Sequence, residues 1–168
     1  MAGMARETLL DFFADITRQD DLFIVHDDGY RVRKLAYPEL GVAAPEVADR
    51  LTIAGLRPGD HLVIWAENRP EWLIALWGAL LARIVVVPVD FRASAELVAR
   101  IADVVDAKLV LTGSEVGTLQ TTRPQALLED YATWDVASGA RTRSAGAPTR
   151  FPAGTRTPAP RHPGTPEP

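Results

Sequence analysis

Between Gly55 and Asp90 the chain reads GLRPGDHLVIWAENRPEWLIALWGALLARIVVVPVD, two apolar runs joined by one helix-length segment. Few folds accept that order. His61 to Ala66 is short, apolar and β-branched at Val63 and Ile64, the composition of a strand covered on both faces. A Pro58-Gly59-Asp60 turn leads into it. Asn68 offers an N-cap oxygen, Pro70 suits the first helical turn, and Glu71 puts negative charge where the helix dipole favours it. Trp72, Leu73, Ala75, Leu76, Trp77, Ala79, Leu80 and Leu81 make this helix apolar nearly all round, so it is expected to be buried. Ile84 to Val89 is a second strand in which Pro88 withholds one ladder donor. Strand, helix and strand form a βαβ unit, with a right-handed crossover expected.

The flanking sequence extends this unit. Ala5 to Gln19 is an amphipathic helix with a stripe of Leu9, Leu10, Phe12, Phe13 and Ile16. Its polar face is acidic, which disfavours an anionic lipid surface. Leu22 to His26 and Tyr30 to Tyr37 are strands joined through Asp27-Asp28-Gly29, a hairpin signal. The paired acids there are read as a solvated turn, since Asp bonds its own backbone in such positions. Pro38 to Leu56 is a helix whose Gly41 and Pro45 predict a kink between them or a start delayed to Pro45. Ser94 caps a helix from Ala95 to Val105, with Leu97, Val98, Ile101, Val104 and Val105 as its buried face. Lys108 to Thr112 is a third core strand.

The fold expected is therefore α/β: a partial parallel βαβαβ sheet with flanking helices, preceded by an N-terminal helix and a β-hairpin. Residues 1–121 form the ordered domain. Residues 122–137 are poorly defined, with a short helix read from Pro124 to Ala132. Residues 138–168 hold seven of the 13 prolines and only one large apolar side chain, Phe151, and are expected to be a disordered, basic Pro/Arg/Ala-rich tail.

The residues carry a resemblance. Gly59-Asp60, Asn68-Arg69-Pro70-Glu71-Trp72 and Val87-Pro88, preceded by Leu35-Ala36-Tyr37-Pro38-Glu39-Leu40, resemble the N-terminal part of the AMP-forming acyl-CoA synthetases of the adenylate-forming superfamily. The likeness runs from about Thr8 to about Thr112, and its wording is nearest the long-chain fatty-acid–CoA ligases. Arg83 departs from it: the resembled family usually has glycine after this helix, where a left-handed C-cap is common. It implies ATP-dependent adenylation of a carboxylate, then thioester formation, with ATP, Mg²⁺ and coenzyme A. The family's Thr-Ser-Gly-Thr-Thr-Gly-x-Pro-Lys loop, its Mg²⁺ glutamate, ribose aspartate and C-terminal lysine have no counterparts here. No residue is assigned as catalytic, cofactor-binding or metal-binding.

The first functional reading is thus a truncated or frame-shifted N-terminal portion of such a ligase, inactive alone, with a non-native tail. The alternative is a non-catalytic interaction module or pseudo-enzyme remnant. A Rossmann-like nucleotide binder is disfavoured, because Glu67-Asn68-Arg69-Pro70 replaces a glycine-rich turn after the first core strand. Absence of cysteine excludes disulfides and thiolate-held metals. The histidines His26, His61 and His162 lack ligand spacing. Trp65, Trp72 and Trp77 read as core and not as a stacking platform. Net charge is −4 with no basic face on the ordered part, so nucleic acid is not an expected partner. No signal peptide or membrane span is read, the expected location is cytoplasmic, and an open sheet edge is expected to promote self-association.

Overall fold

The computed structural model describes residues 8–30 and 32–133. The tail read as disordered, and the end of the poorly defined stretch, lie outside the described residues.

Helix α1 (Leu9–Ile16) starts from a capping box in which Thr8 and Asp11 exchange side-chain-to-backbone bonds. Strands β1 (Leu22–Asp27) and β2 (Val32–Ala36) form the antiparallel hairpin. At its turn Asp27 and Asp28 accept from the amides of Gly29 and Tyr30, each at 2.9 Å. Gly29 adopts φ 84°, a left-handed conformation that favours glycine. Helix α2 (Tyr37–Ile53) then leads to β3 (His61–Ala66), α3 (Pro70–Leu81), β4 (Val85–Asp90), α4 (Ala95–Val104) and β5 (Leu109–Thr112). A three-residue strand β6 (Gln125–Leu127) and a 3-10 helix (Leu128–Thr133) follow.

Strands β3 to β6 make one sheet, ordered β4-β3-β5-β6 and parallel at every pairing. Period-two alternation sends β3 side chains to two cores. Leu62, Ile64 and Ala66 face a core shared with α1, α2, α3 and the inner side of the hairpin. Val63 and Trp65 face a second core with Val98 and Ala102 of α4. The double-sided covering accounts for the unbroken apolar run of β3.

Several expectations need correction. Helix α2 runs unbroken through Pro45, with no start delayed to that residue. Leu40, Ala44, Val47 and Leu51 lie on both sides of the proline and are fully buried, so packing against α3 outweighs a local cost of about 3 kcal/mol. The N-cap of α3 is Arg69, not Asn68, and Pro70 takes the first helical position. Of the α1 stripe only Phe13 and Ile16 are buried, while Leu9 and Phe12 are exposed. On α4 the buried pair is Val98 and Ala102, and Leu97 and Val104 face outward. A single sheet face takes only one narrow stripe of a ten-residue helix. The stretch read as a helix from Pro124 begins instead as β6, because the free edge of β5 captures Gln125 to Leu127 in register with Val110 to Thr112.

Arg83 does hold the left-handed conformation, at φ 58°. The amides of Arg83 and Ile84 donate back to the carbonyls of Leu80 and Ala79, closing a Schellman motif. Asp106, at φ 50°, ends α4 in the same way. Helices α2 and α3 cross closely at Gly78, where a side-chain carbon would lie 2.5 Å from a Val47 methyl and 2.9 Å from the Ala44 carbonyl oxygen.

Candidate functional site

In a parallel sheet every strand delivers its following loop to the same edge. The chain leaves β3 for β4 on one side and then returns to β5 on the other, which makes the carboxyl ends of β3 and β5 a topological switch point. That crevice is where open α/β sheets place ligands. Here it gathers residues from three separate segments.

Arg69, nearly buried at the start of α3, lies at its centre. Its guanidinium is 3.0 Å from Glu115, 3.8 Å from Glu67 and in direct contact with Glu129. Glu129 also accepts from the Ser114 amide at 2.9 Å and the Ser114 hydroxyl at 2.8 Å. Glu115 accepts from the amide of Glu67. The Gly113 amide donates to the Trp65 carbonyl at 3.0 Å, tying the two strand ends together. Arg69 Nε and Glu129 Oε2 are buried without a hydrogen-bond partner. Burial, with the neighbouring Glu129 charge second, pushes the Asp130 carboxyl up.

Two clefts flank this cluster. One, of about 330 Å³, opens between the ends of β3 and β4 and is edged by Asn68, Trp72, Pro88, Asp90, Phe91 and Arg92. Arg92 grips both oxygens of Asp90 at 2.9 and 3.0 Å and lies 5.6 Å from the centre of the Phe91 ring. The Arg92 side-chain bond holds the Asp90 carboxyl at about 2. The other cleft, of about 200 Å³, lies between the 113–119 segment and β6.

The sequence-read residues distribute unevenly. Asn68 and Trp72 reach the first cleft, while Trp65 and Trp77 are core. His26 and His61 are half-buried on separate strands. Glu71 is buried at 4% exposure and paired with Arg33 of the hairpin. The cluster around Arg69 had no signal in the linear sequence beyond acidic residues shortly after two apolar runs. Among the described residues, no group of three or more His, Cys, Asp or Glu is disposed to hold a metal ion.

The sequence matches the AMP-binding enzymes over residues 12–163. The chain belongs to the AMP-binding enzyme family. This match extends past Thr112, where the read resemblance ended, to within the basic tail. A curated relative from Rhodococcus jostii, 3-[(3aS,4S,7aS)-7a-methyl-1,5-dioxo-octahydro-1H-inden-4-yl]propanoyl:CoA ligase, is 27% identical over 71% of this chain and 23% of its own length. Malpibaldin synthetase from Mortierella alpina is 37% identical over 55% of this chain and 2% of its own. The solved o-succinylbenzoate coenzyme A synthetase from Bacillus subtilis, in complex with AMP, superposes with a TM-score of 0.63 at 18% identity, covering 75% of this chain and 32% of that one. At that identity the superposition establishes shared fold. The chain spans less than a third of the length of each of these proteins.

An adenylate-forming reaction needs a cradle for the ATP phosphates, built from free N–H groups and positive charge. The rim around Arg69 does not fit that role. Two of its amides, those of Glu67 and Ser114, already donate to Glu115 and Glu129. Three carboxylates surround the one guanidinium, so an incoming polyphosphate meets net negative charge. No helix of the described residues is long and apolar enough to cross a membrane.

Proposed function

We propose that this chain is the N-terminal wall of a carboxylate-activating, AMP-forming ligase and does not adenylate by itself. Supporting this most directly is the occupied rim: the amides of Glu67 and Ser114 and the guanidinium of Arg69 at the switch point are already engaged by Glu115 and Glu129. On this reading ATP, Mg²⁺ and the acyl acceptor, coenzyme A in the family, are held mainly by sequence that complements residues 8–133. The chain's own part is to supply the doubly covered sheet and the cleft beside Trp72, Phe91 and Arg92. A long-chain fatty acid is the proposed carboxylate, from the wording of the Asn68 to Trp72 segment.

The test is ATP–pyrophosphate exchange with a panel of fatty acids. The chain alone is expected to give background exchange. Mixed with the remaining portion of a family member's AMP-binding domain, it is expected to restore exchange. Turnover by the chain alone contradicts the reading.

The alternative, a non-catalytic interaction module, draws on the open edges of β4 and β6 and the outward apolar side chains of Val85, Leu97 and Val104. It expects concentration-dependent self-association in sedimentation and no recovery of exchange on complementation. A single monomeric species up to high concentration counts against it.

A further inference from the structure

We propose that Arg69 is a positioning residue that couples three carboxyl-edge segments into one rim and so sets the opening of the cleft between the 113–119 segment and β6. This rests on the reading that the carboxyl edge faces ligand in the assembled enzyme. The segments are the β3–α3 connection, the turn after β5, and the 3-10 helix after β6. Each contributes one carboxylate to the same guanidinium: Glu67, Glu115 and Glu129. Glu129 also reaches the other two segments, through Arg69 and Ser114, but Arg69 carries the positive charge that holds the three carboxylates together.

The connection is directional, through the planar guanidinium. Its two terminal nitrogens are divided: Nη1 holds Glu129, and Nη2 holds Glu115 with Glu67 further off. A lysine ammonium, a point charge, cannot span both at once. The two engaged carboxylates then carry the restraint on to the backbone. Glu115 fixes the Glu67 amide, and Glu129 fixes the Ser114 amide and hydroxyl. Ser114 and Gly113 form one lip of the cleft, and Ala126 and Leu127, just before Glu129, form the other. Without the guanidinium, Glu67, Glu115 and Glu129 face one another as uncompensated like charges, and their repulsion draws Glu115 off the Glu67 amide and Glu129 off the Ser114 amide, loosening both lips while leaving the β3–β5 ladder paired. The Gly113 amide stays on the Trp65 carbonyl, because that bond involves none of the three carboxylates.

Hydrogen exchange on the chain without any ligand tests the coupling separately from the functional reading. In Arg69→Ala, exchange at the Glu67 and Ser114 amides is expected to rise at least tenfold. The amides of Leu62 to Trp65 and of Gly113 are expected to keep their protection. Millimolar guanidinium is expected to restore protection at Glu67 and Ser114, and equal potassium chloride is not; a purely packing role for Arg69 would show no such ion selectivity. Arg69→Lys provides a second variant if Arg69→Ala does not fold, and it is expected to show the same two amides loosened. Unchanged exchange at both, or a uniform rise across the sheet with no guanidinium rescue, overturns the proposal. Failure of adenylation after complementation with these amides behaving as expected would instead indict the functional reading.

Discussion

Gly78→Ala tests the closest contact in the fold. The new methyl carbon would sit 2.5 and 2.7 Å from Val47 side-chain carbons and 2.9 Å from the Ala44 carbonyl oxygen. Alanine is the better helix former by about 0.8–1.0 kcal/mol, so propensity alone makes this variant more stable. Overpacking a filled core costs about 1–3 kcal/mol, and the upper part of that range applies here. Rotation moves the Val47 methyls, but the Val47 Cβ and the Ala44 oxygen are fixed by the α2 backbone and yield only if the helices separate. The net expectation is a loss of about 1–2 kcal/mol. Urea unfolding followed by tryptophan fluorescence reads it as a lower midpoint at unchanged slope. Adding Val47→Ala should recover only part of the loss, since the backbone obstacle stays. A Gly78→Ala protein as stable as the parent, or more so, would refute the crossing as described. Gly41→Ala supplies the milder comparison, since its obstacle is the Thr17 side chain at 3.1 Å.

Arg83→Gly relieves a left-handed non-glycine residue and should stabilise by about 0.5–1 kcal/mol in the same unfolding assay. Asp106→Gly should gain less or lose stability, because Asp106 also bonds Lys108 and Arg123. Arg33→Ala strands the buried Glu71 carboxylate and should cost about 2–3 kcal/mol, less than a fully buried pair because Arg33 is partly exposed; a loss below about 0.5 kcal/mol would mean the hairpin does not depend on this pair. Burial, assisted by the charges of Glu46 and Glu71, pushes the Tyr131 phenol above its ordinary 10.0. Its raised folded-state value means that the associated stability is complete below about pH 10 and falls as pH rises further. Tyr131→Phe should remove the latest component of the tyrosinate absorbance titration and flatten that alkaline decline.

The sheet was legible because β3, α3 and β4 each carry one dominant signal: β-branched apolar runs and a helix apolar on every side. The hairpin was legible from Asp27-Asp28-Gly29, and the left-handed Arg83 from the glycine that the resembled family usually places there. What the sequence hid depends on tertiary choice. Pro45 argues locally for a break, yet the buried Leu40, Ala44, Val47 and Leu51 keep the helix continuous across it. Leu97 and Val104 look like core until the sheet is seen to contact only the Val98 and Ala102 stripe. Strand order was not readable either, and without it Arg69, Glu115 and Glu129 are three unrelated charges across 60 residues of sequence. The motif residues Asn68 and Trp72 did lead to the right edge of the sheet. The motif's Glu71 points away from it, to Arg33.

The most direct measurement is calorimetric titration of MgATP into the purified chain. With the Glu67 and Ser114 amides engaged and three carboxylates around Arg69, no saturable binding is expected at millimolar nucleotide. Stoichiometric, saturable binding to this chain alone, abolished by Arg69→Ala, would contradict the account.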